Sequence, residues 1–281
     1  MNFVQRKGTK AAQKLPENFS EIKETFLCKI KEIVSQSNVP NDLIINFDQT
    51  NVYIVPVGDY ILEDKGSKQI PIIGLEDKRQ ITVLLGCTLS CRLLPTQVIY
   101  TGSTNQVHPK FSFPEGWHIT HTQNHWSNSE SMCDYINNVI VPYVENVRER
   151  LPLSRGDVSA LCIFDVFKAH QVSDFKELMT KNNIRMQCVP TGCTSELQPL
   201  DLSGNDEFKK HIKNELSNWY AWQVQSELES GKPLEAIQID LKLSTLNPVH
   251  ARWLVSAFDS IKSETIKLGP QTSGIYNRLK H

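Results

Sequence analysis

The sequence has no apolar run of about 18 residues, so it offers no membrane-spanning helix. Met1 to Lys10 is polar and lacks an apolar signal core, which leads us to expect an intracellular chain. It contains no glycine-rich phosphate loop and no serine or cysteine nucleophile motif, which excludes several common enzyme plans. Cysteine is scarce, with seven in 281 residues, and the odd number argues against a disulfide framework. Cys28, Cys87, Cys133 and Cys162 lie in apolar or helical contexts and read as buried thiols. The pairs Cys87/Cys91 and Cys188/Cys193 are too isolated for structural zinc, which wants four ligands at strict spacing. Positive charge is not in excess either: 30 Lys and Arg stand against 31 Asp and Glu, for a net charge of −1. Composition alone therefore does not point to DNA, whose non-specific affinity comes mainly from cations neutralising phosphates. No internal repeat or low-complexity tract is present.

What is present is an ordinary globular composition, 40% hydrophobic and 22% charged. Residues 1–16 are polar and are expected to be loose. Phe19, Ile22, Phe26, Ile30 and Ile33 recur at helical spacing and predict a helix over 18–36. Strands are predicted at 43–48 and 51–57, with a loop or irregular hairpin over 58–77. Two strong strands, 79–89 and 93–100, follow. Ser127 or Asn128 should cap a helix running to about Arg150, kinked by Pro142. Residues 159–165 are apolar on both faces, as a central parallel strand is. A helix over 172–182 and a strand over 184–189 complete a right-handed crossover. A long helix follows Asp201, and Asn247-Pro248 should start another.

Three aspartates stand out. Asp48 closes the apolar run Leu43-Ile-Ile-Asn-Phe-Asp48, and Asp165 closes Ala160-Leu-Cys-Ile-Phe-Asp165. Asp201 ends Leu197-Gln-Pro-Leu-Asp201, just before the long helix. Taken singly, each has an ordinary reading: a strand-end turn residue, a turn acid, a helix N-cap. Carboxylates at strand ends and a helix start can also converge, and hard oxygen ligands then suit Mg²⁺ or Mn²⁺. Two-metal carboxylate clusters cut and join phosphodiesters.

Asn46-Phe-Asp48-Gln-Thr, Phe164-Asp165 with His170 five residues on, and Thr194-Ser-Glu-Leu-Gln198-Pro-Leu-Asp201 resemble the DDE superfamily endonuclease domain of pogo/Tigger-like transposases. Centromere protein B and the jerky proteins are relatives of that group. The resemblance covers roughly residues 40–230. It implies an α/β, RNase H-like mixed sheet, three antiparallel strands then parallel ones, flanked by helices and followed by a helical C-terminal portion. It divides the chain into 1–40, a tail and linker helix; 41–230, the catalytic domain; and 231–281, a helical extension. Asp48, Asp165 and Asp201 map onto the catalytic, metal-binding acids, with two Mg²⁺ or Mn²⁺ ions as cofactors. The implied function is DNA cleavage and strand transfer; the alternative is a domesticated, non-catalytic binding module that keeps the fold. A nuclear location, DNA and a homodimer are the implied setting and partners. Family members usually carry an N-terminal helix-turn-helix region, for which the residues ahead of Leu43 leave little room. DNA binding is therefore expected to be weak and largely non-specific. Val166 and Gln49 stand where the family often has Asn and Glu.

Further candidates surround the triad. Lys209, Lys210, His211 and Lys213 form either a phosphate-holding stretch or a solvated helix face. Asp206, Glu207 and Glu196 are either auxiliary ligands or acids favoured at helix N-termini. Trp219, Tyr220 and Trp222 either stack on bases or pack as core and interface. His170 is a residue behind the site or a helix-start histidine. His118, His121 and His125 have a metal-like rhythm, but the alternating context reads as strand or loop.

Overall fold

The computed structural model describes residues 3–7, 15–55, 60–64, 77–151, 158–166 and 173–280. Its centre is a six-stranded sheet in the order β6-β5-β4-β2-β7-β8. The strands are β2 (Ile44–Tyr53), β4 (Gln80–Thr88), β5 (Gln97–Thr101), β6 (His118–Thr122), β7 (Ala160–Asp165) and β8 (Ile184–Val189). β2, β4 and β5 run antiparallel in succession. β7 is parallel to β2, and β8 to β7, as the α/β, RNase H-like expectation required. β6 adds a strand parallel to β5. Outside this sheet β1 (Phe3–Lys7) pairs antiparallel with β3 (Tyr60–Asp64).

Alternation along the central strands sends side chains to both faces. Ile81, Val83, Leu85 and Cys87 of β4 enter one core with Phe208, Ile212, Trp253 and Leu254. Leu84, with Ile45 and Phe47 of β2, enters the other, among Tyr135, Ile136, Ile140 and Phe175. Helices therefore cover both faces. Near the first core lie α6 (Gly204–Glu229), α7 (Leu243–Ser260) and α8 (Ser263–Ser273). On the opposite face are α1 (Phe19–Ser37), the bent helix α2–α3 (Ser129–Tyr135 and Val141–Arg150) and α4 (Ser173–Lys181). α9 (Ile275–Lys280) packs against α1, where Arg278 pairs with Glu24.

Asn128 caps α2 with a complete capping box shared with Ser131, as its residue type predicted. The kink expected at Pro142 takes the form of a π turn over Ile136–Ile140 immediately ahead of it. Proline has no N–H for the Asn138 carbonyl, and the ladder widens there. Arg148, buried near the end of α3, donates to the carbonyls of Val158, Asn182 and Asn183 and to Glu145, tying α3 to the starts of β7 and β8.

Several expectations are corrected. The region expected to be loose contains β1, held by main-chain pairing with β3 rather than by an apolar pattern. The strands predicted at 43–48 and 51–57 are one continuous β2, because the turn-prone Gln49-Thr-Asn51 is paired through to Leu84, Val83 and Thr82 of β4. The last long helix begins at Leu243, and Pro248 sits inside it, forgoing only the bond to Ser244. Cys28 is exposed and Cys133 only half-buried; Cys28 lies beside Glu24 and Arg278 on the outer face of α1. The predicted hairpin region is described only at 60–64 and at residue 77, and His170 lies outside the described residues. No helix among the described residues is long and apolar enough to cross a membrane.

Candidate active site

The three aspartates come from three neighbouring elements, where the parallel strand β7 ends beside the middle of β2. Asp48 is in β2, paired opposite Leu85, so both lie toward the α6 side. Asp165 ends the neighbouring strand β7. Asp201 lies in the turn between the short helix α5 (Thr194–Leu197) and α6.

That turn is held against β2 by a buried clamp. Asn46 donates to Gln198 Oε1 at 2.5 Å and to the Ile163 carbonyl at 2.9 Å. Its own Oδ1 accepts from the Leu200 N–H at 3.1 Å. Gln198, fully buried, donates in turn to the Phe47 carbonyl. On the far side the turn rests on Gly269 of α8. A Cβ at that position would lie 2.2 Å from the Pro199 carbonyl oxygen, so only glycine permits this approach. The Leu-Gln-Pro-Leu-Asp sequence is therefore the part that sets Asp201 beside β2.

Asp48 and Asp201 share a donor. Asn205 Nδ2 donates to Asp48 Oδ2 and to Asp201 Oδ1, each at 2.7 Å. Asp165 accepts from the Thr194 hydroxyl at 2.9 Å. Burial, then the negative charges of Asp201 and Asp165, hold the Asp48 carboxyl well above the usual carboxylate range, against the pull of the Asn205 amide. Burial also raises Asp165; the Thr194 hydroxyl opposes this and Asp201 adds to it. Asp48 and Asp165 line one cavity of about 220 Å³ with Phe47, Gln49, Thr82, Trp126 and Val166. Trp126 is 54% exposed at its mouth and stacks on His125.

The proton affinity that neighbouring negative charge adds to Asp48 and Asp165 is what hard divalent cations relieve, so the donor chemistry fits Mg²⁺ or Mn²⁺. Among the described residues, no group of three or more His, Cys, Asp or Glu stands in metal-holding geometry. The charges acting on Asp48 are those of Asp201 and Asp165; exposed Asp206 and half-buried Glu207 and Glu196 are not among them.

The remaining candidates separate. His118 meets Gln97, His121 meets His108, and His125 meets Thr82, so the three point to different partners. His211 is engaged by Ser256 on α7 and by Glu215, whereas Lys210 of the same stretch is exposed. Trp219 packs edge-on against Trp253, while Tyr220 and Trp222 are exposed. A larger groove of about 1170 Å³ is linked to the first cavity through His125, which contacts Thr82. Lys78, Arg79 and Lys110 line it, with Arg79 paired to Asp77. Asn205, Asn46 and Thr194 were missed as site residues in the sequence; the polar spacing Asp201-x3-Asn205, one helical turn, was the available signal for the first.

The family profile described as DDE superfamily endonuclease matches residues 78–269. The chain belongs to the DDE superfamily endonucleases. The match contains Asp165 and Asp201 and begins after Asp48. The human protein "Pogo transposable element with KRAB domain" is 25% identical over 272 residues, which is 95% of this chain and 41% of that protein. The chain thus spans less than half the length of that relative, and its similarity to a pogo-derived protein agrees with the resemblance its motifs carry. The solved catalytic domain of Mos1 mariner transposase overlays with a TM-score of 0.50 at 10% identity, covering 96% of this chain and 95% of that one. The Mos1 mariner paired end complex with Mn gives 0.52 at 12% identity, covering 99% and 68%. At these identities the likeness is one of fold, the RNase H-like fold of a transposase catalytic domain.

Proposed function

We propose that this chain is a transposase-derived DNA endonuclease and strand-transfer domain whose site is Asp48, Asp165 and Asp201. The carrying observation is that Asp48 and Asp201 share the Asn205 amide while Asp201 and Asp165 both raise the Asp48 carboxyl. Asp48, Asp165 and Asp201 would hold two Mg²⁺ or Mn²⁺ ions. When bound, such ions supply the charge that activates the attacking water or 3′-hydroxyl and stabilises the leaving oxygen. The chain's own part is position: β2 and β7 fix two acids on a rigid sheet, and the Asn46–Gln198 clamp brings in the third.

The substrate in this reading is DNA, as the Mos1 complex with paired ends suggests by fold. Trp126 offers an exposed ring at the mouth of the acid cavity, suited to stack on a base. Lys78 and Lys110 in the adjoining groove, with Lys209, Lys210 and Lys213 on α6, are the proposed phosphate contacts. With a net charge of −1, binding by this portion alone is weak and salt-dependent. Residues 41–230 form the catalytic portion, with 1–40 and 231–281 flanking it. A nuclear location and a homodimer belong to the same proposal.

The test is nicking of supercoiled plasmid with Mg²⁺ or Mn²⁺. The wild-type chain cuts, and Asp165→Asn, of equal or slightly raised thermal stability, does not. A wild type that cuts with neither ion returns the chain to the alternative, a domesticated binding module. Equal cutting by Asp165→Asn removes the site assignment.

A further inference from the structure

We propose that Asn205 is a positioning residue for this centre, holding the first and third acids converged before an ion arrives; the inference rests on the metal-site reading above. Its Nδ2 carries two N–H groups, and both are directed at carboxylates, one from β2 and one from the turn before α6. Both bonds are 2.7 Å, short for an amide donor and in keeping with charged acceptors.

The burial of Asn205 makes a solvating role untenable, since it is 2% exposed in the first turn of α6. Its Oδ1 is buried and has no hydrogen-bond partner. An orphaned buried oxygen is costly. Turning the amide over would point that oxygen at two carboxylates, which is worse. The acids therefore dictate its orientation.

The backbone of Asn205 is fixed independently. Its N–H donates to the Leu200 carbonyl at 3.0 Å, and the Leu200 N–H is held by Asn46. Asn205 is thus carried by the same turn that carries Asp201. The residue type also matters. A lysine here would neutralise the acids and compete with a cation, and an aspartate would add a further repelling charge. A neutral amide draws the two carboxylates together and leaves their charge intact.

The test is Mn²⁺ binding to the full chain by calorimetry, with thermal stability measured with and without Mn²⁺. Asn205→Ala is expected to bind Mn²⁺ roughly tenfold to a hundredfold more weakly, the usual loss for a residue that orients ligands. Asn214→Ala, exposed on the same helix, should bind as wild type does. Asn205→Asp should have a lower metal-free Tm, and Mn²⁺ should raise it by more than it raises the wild type. An Asn205→Ala protein that melts earlier but binds Mn²⁺ as tightly as wild type has lost only structure, and the positioning role is then overturned. If Asn205→Ala does not fold, Asn205→Asp decides: a Tm restored by Mn²⁺ supports the role, and one that Mn²⁺ leaves unchanged refutes it. Failure of the wild type to bind Mn²⁺ overturns the metal site itself, a result distinct from equal binding by the two proteins.

Discussion

Asn46 and Gln198, 152 residues apart in sequence, are joined by a buried side-chain hydrogen bond of 2.5 Å. That bond couples strand β2, which carries Asp48, to the turn that carries Asp201. Removing one partner takes a hydrogen bond from a buried amide of the other, which keeps its bonds to the main chain, at about 1–3 kcal/mol. Gln198→Leu and Asn46→Leu are each expected to destabilise by that amount in urea unfolding. In a double-mutant cycle their effects should fall well short of additive, since they share one interaction. Full additivity would contradict the clamp.

Gly269→Ala tests the other support of the same turn. A Cβ there meets backbone, the Pro199 carbonyl oxygen, which cannot swing aside. The expected loss is about 1–3 kcal/mol, typical of overpacking. Gly204→Ala is the comparison, because its Cβ would meet only the ends of the Ile266 and Leu200 side chains, at 3.2 and 3.3 Å. It should cost less. Thermal melts of the two variants check the order.

The acids make the metal-free protein sensitive to pH. Asp48 and Asp165 have carboxyls raised by burial and by neighbouring charge, so the folded state holds protons that the unfolded state has released. Their contribution is fully present below the ordinary carboxylate pKa of about 4 and is lost as pH rises through the folded values. Asp48→Asn should therefore raise the metal-free Tm at pH 7 relative to wild type, with the gap closing toward pH 4. Melting curves across that range check it; a gap independent of pH would contradict the account.

His250 works in the opposite direction. It is fully buried beside Trp253, and burial lowers its pKa to about 4. Its contribution is present above the unfolded value of about 6.5 and is lost as pH falls through about 4. Replacing it with Phe should flatten the loss of stability on acidification over that window, read from melts of the two proteins.

The strands and their acids were legible in the sequence for a physical reason. A run such as Ala160 to Asp165 is apolar throughout because both faces of β7 are buried, and that leaves a plain trace. Asn128 announced a helix start because capping is a local interaction. Other features depend on distant partners. β1 is a strand only through pairing with β3, and neither has a decisive pattern of its own. Asn205 looks like any polar residue in a first helical turn until Asp48 arrives from β2. Asn247-Pro248 carried a helix-start signal that tertiary packing overrode, with Leu246 and His250 both buried along α7. The histidines at 118, 121 and 125 have a metal-like rhythm, but edge strand β6 sends His118 and His121 to different faces and His125 lies in the turn beyond it.

The most direct measurement is a crystal of the chain soaked in Mn²⁺ and recorded near the manganese absorption edge. The account predicts anomalous peaks within about 2.0–2.6 Å of carboxylate oxygens of Asp48, Asp165 and Asp201. Peaks confined to other residues, or none at these acids at saturating Mn²⁺, would contradict it.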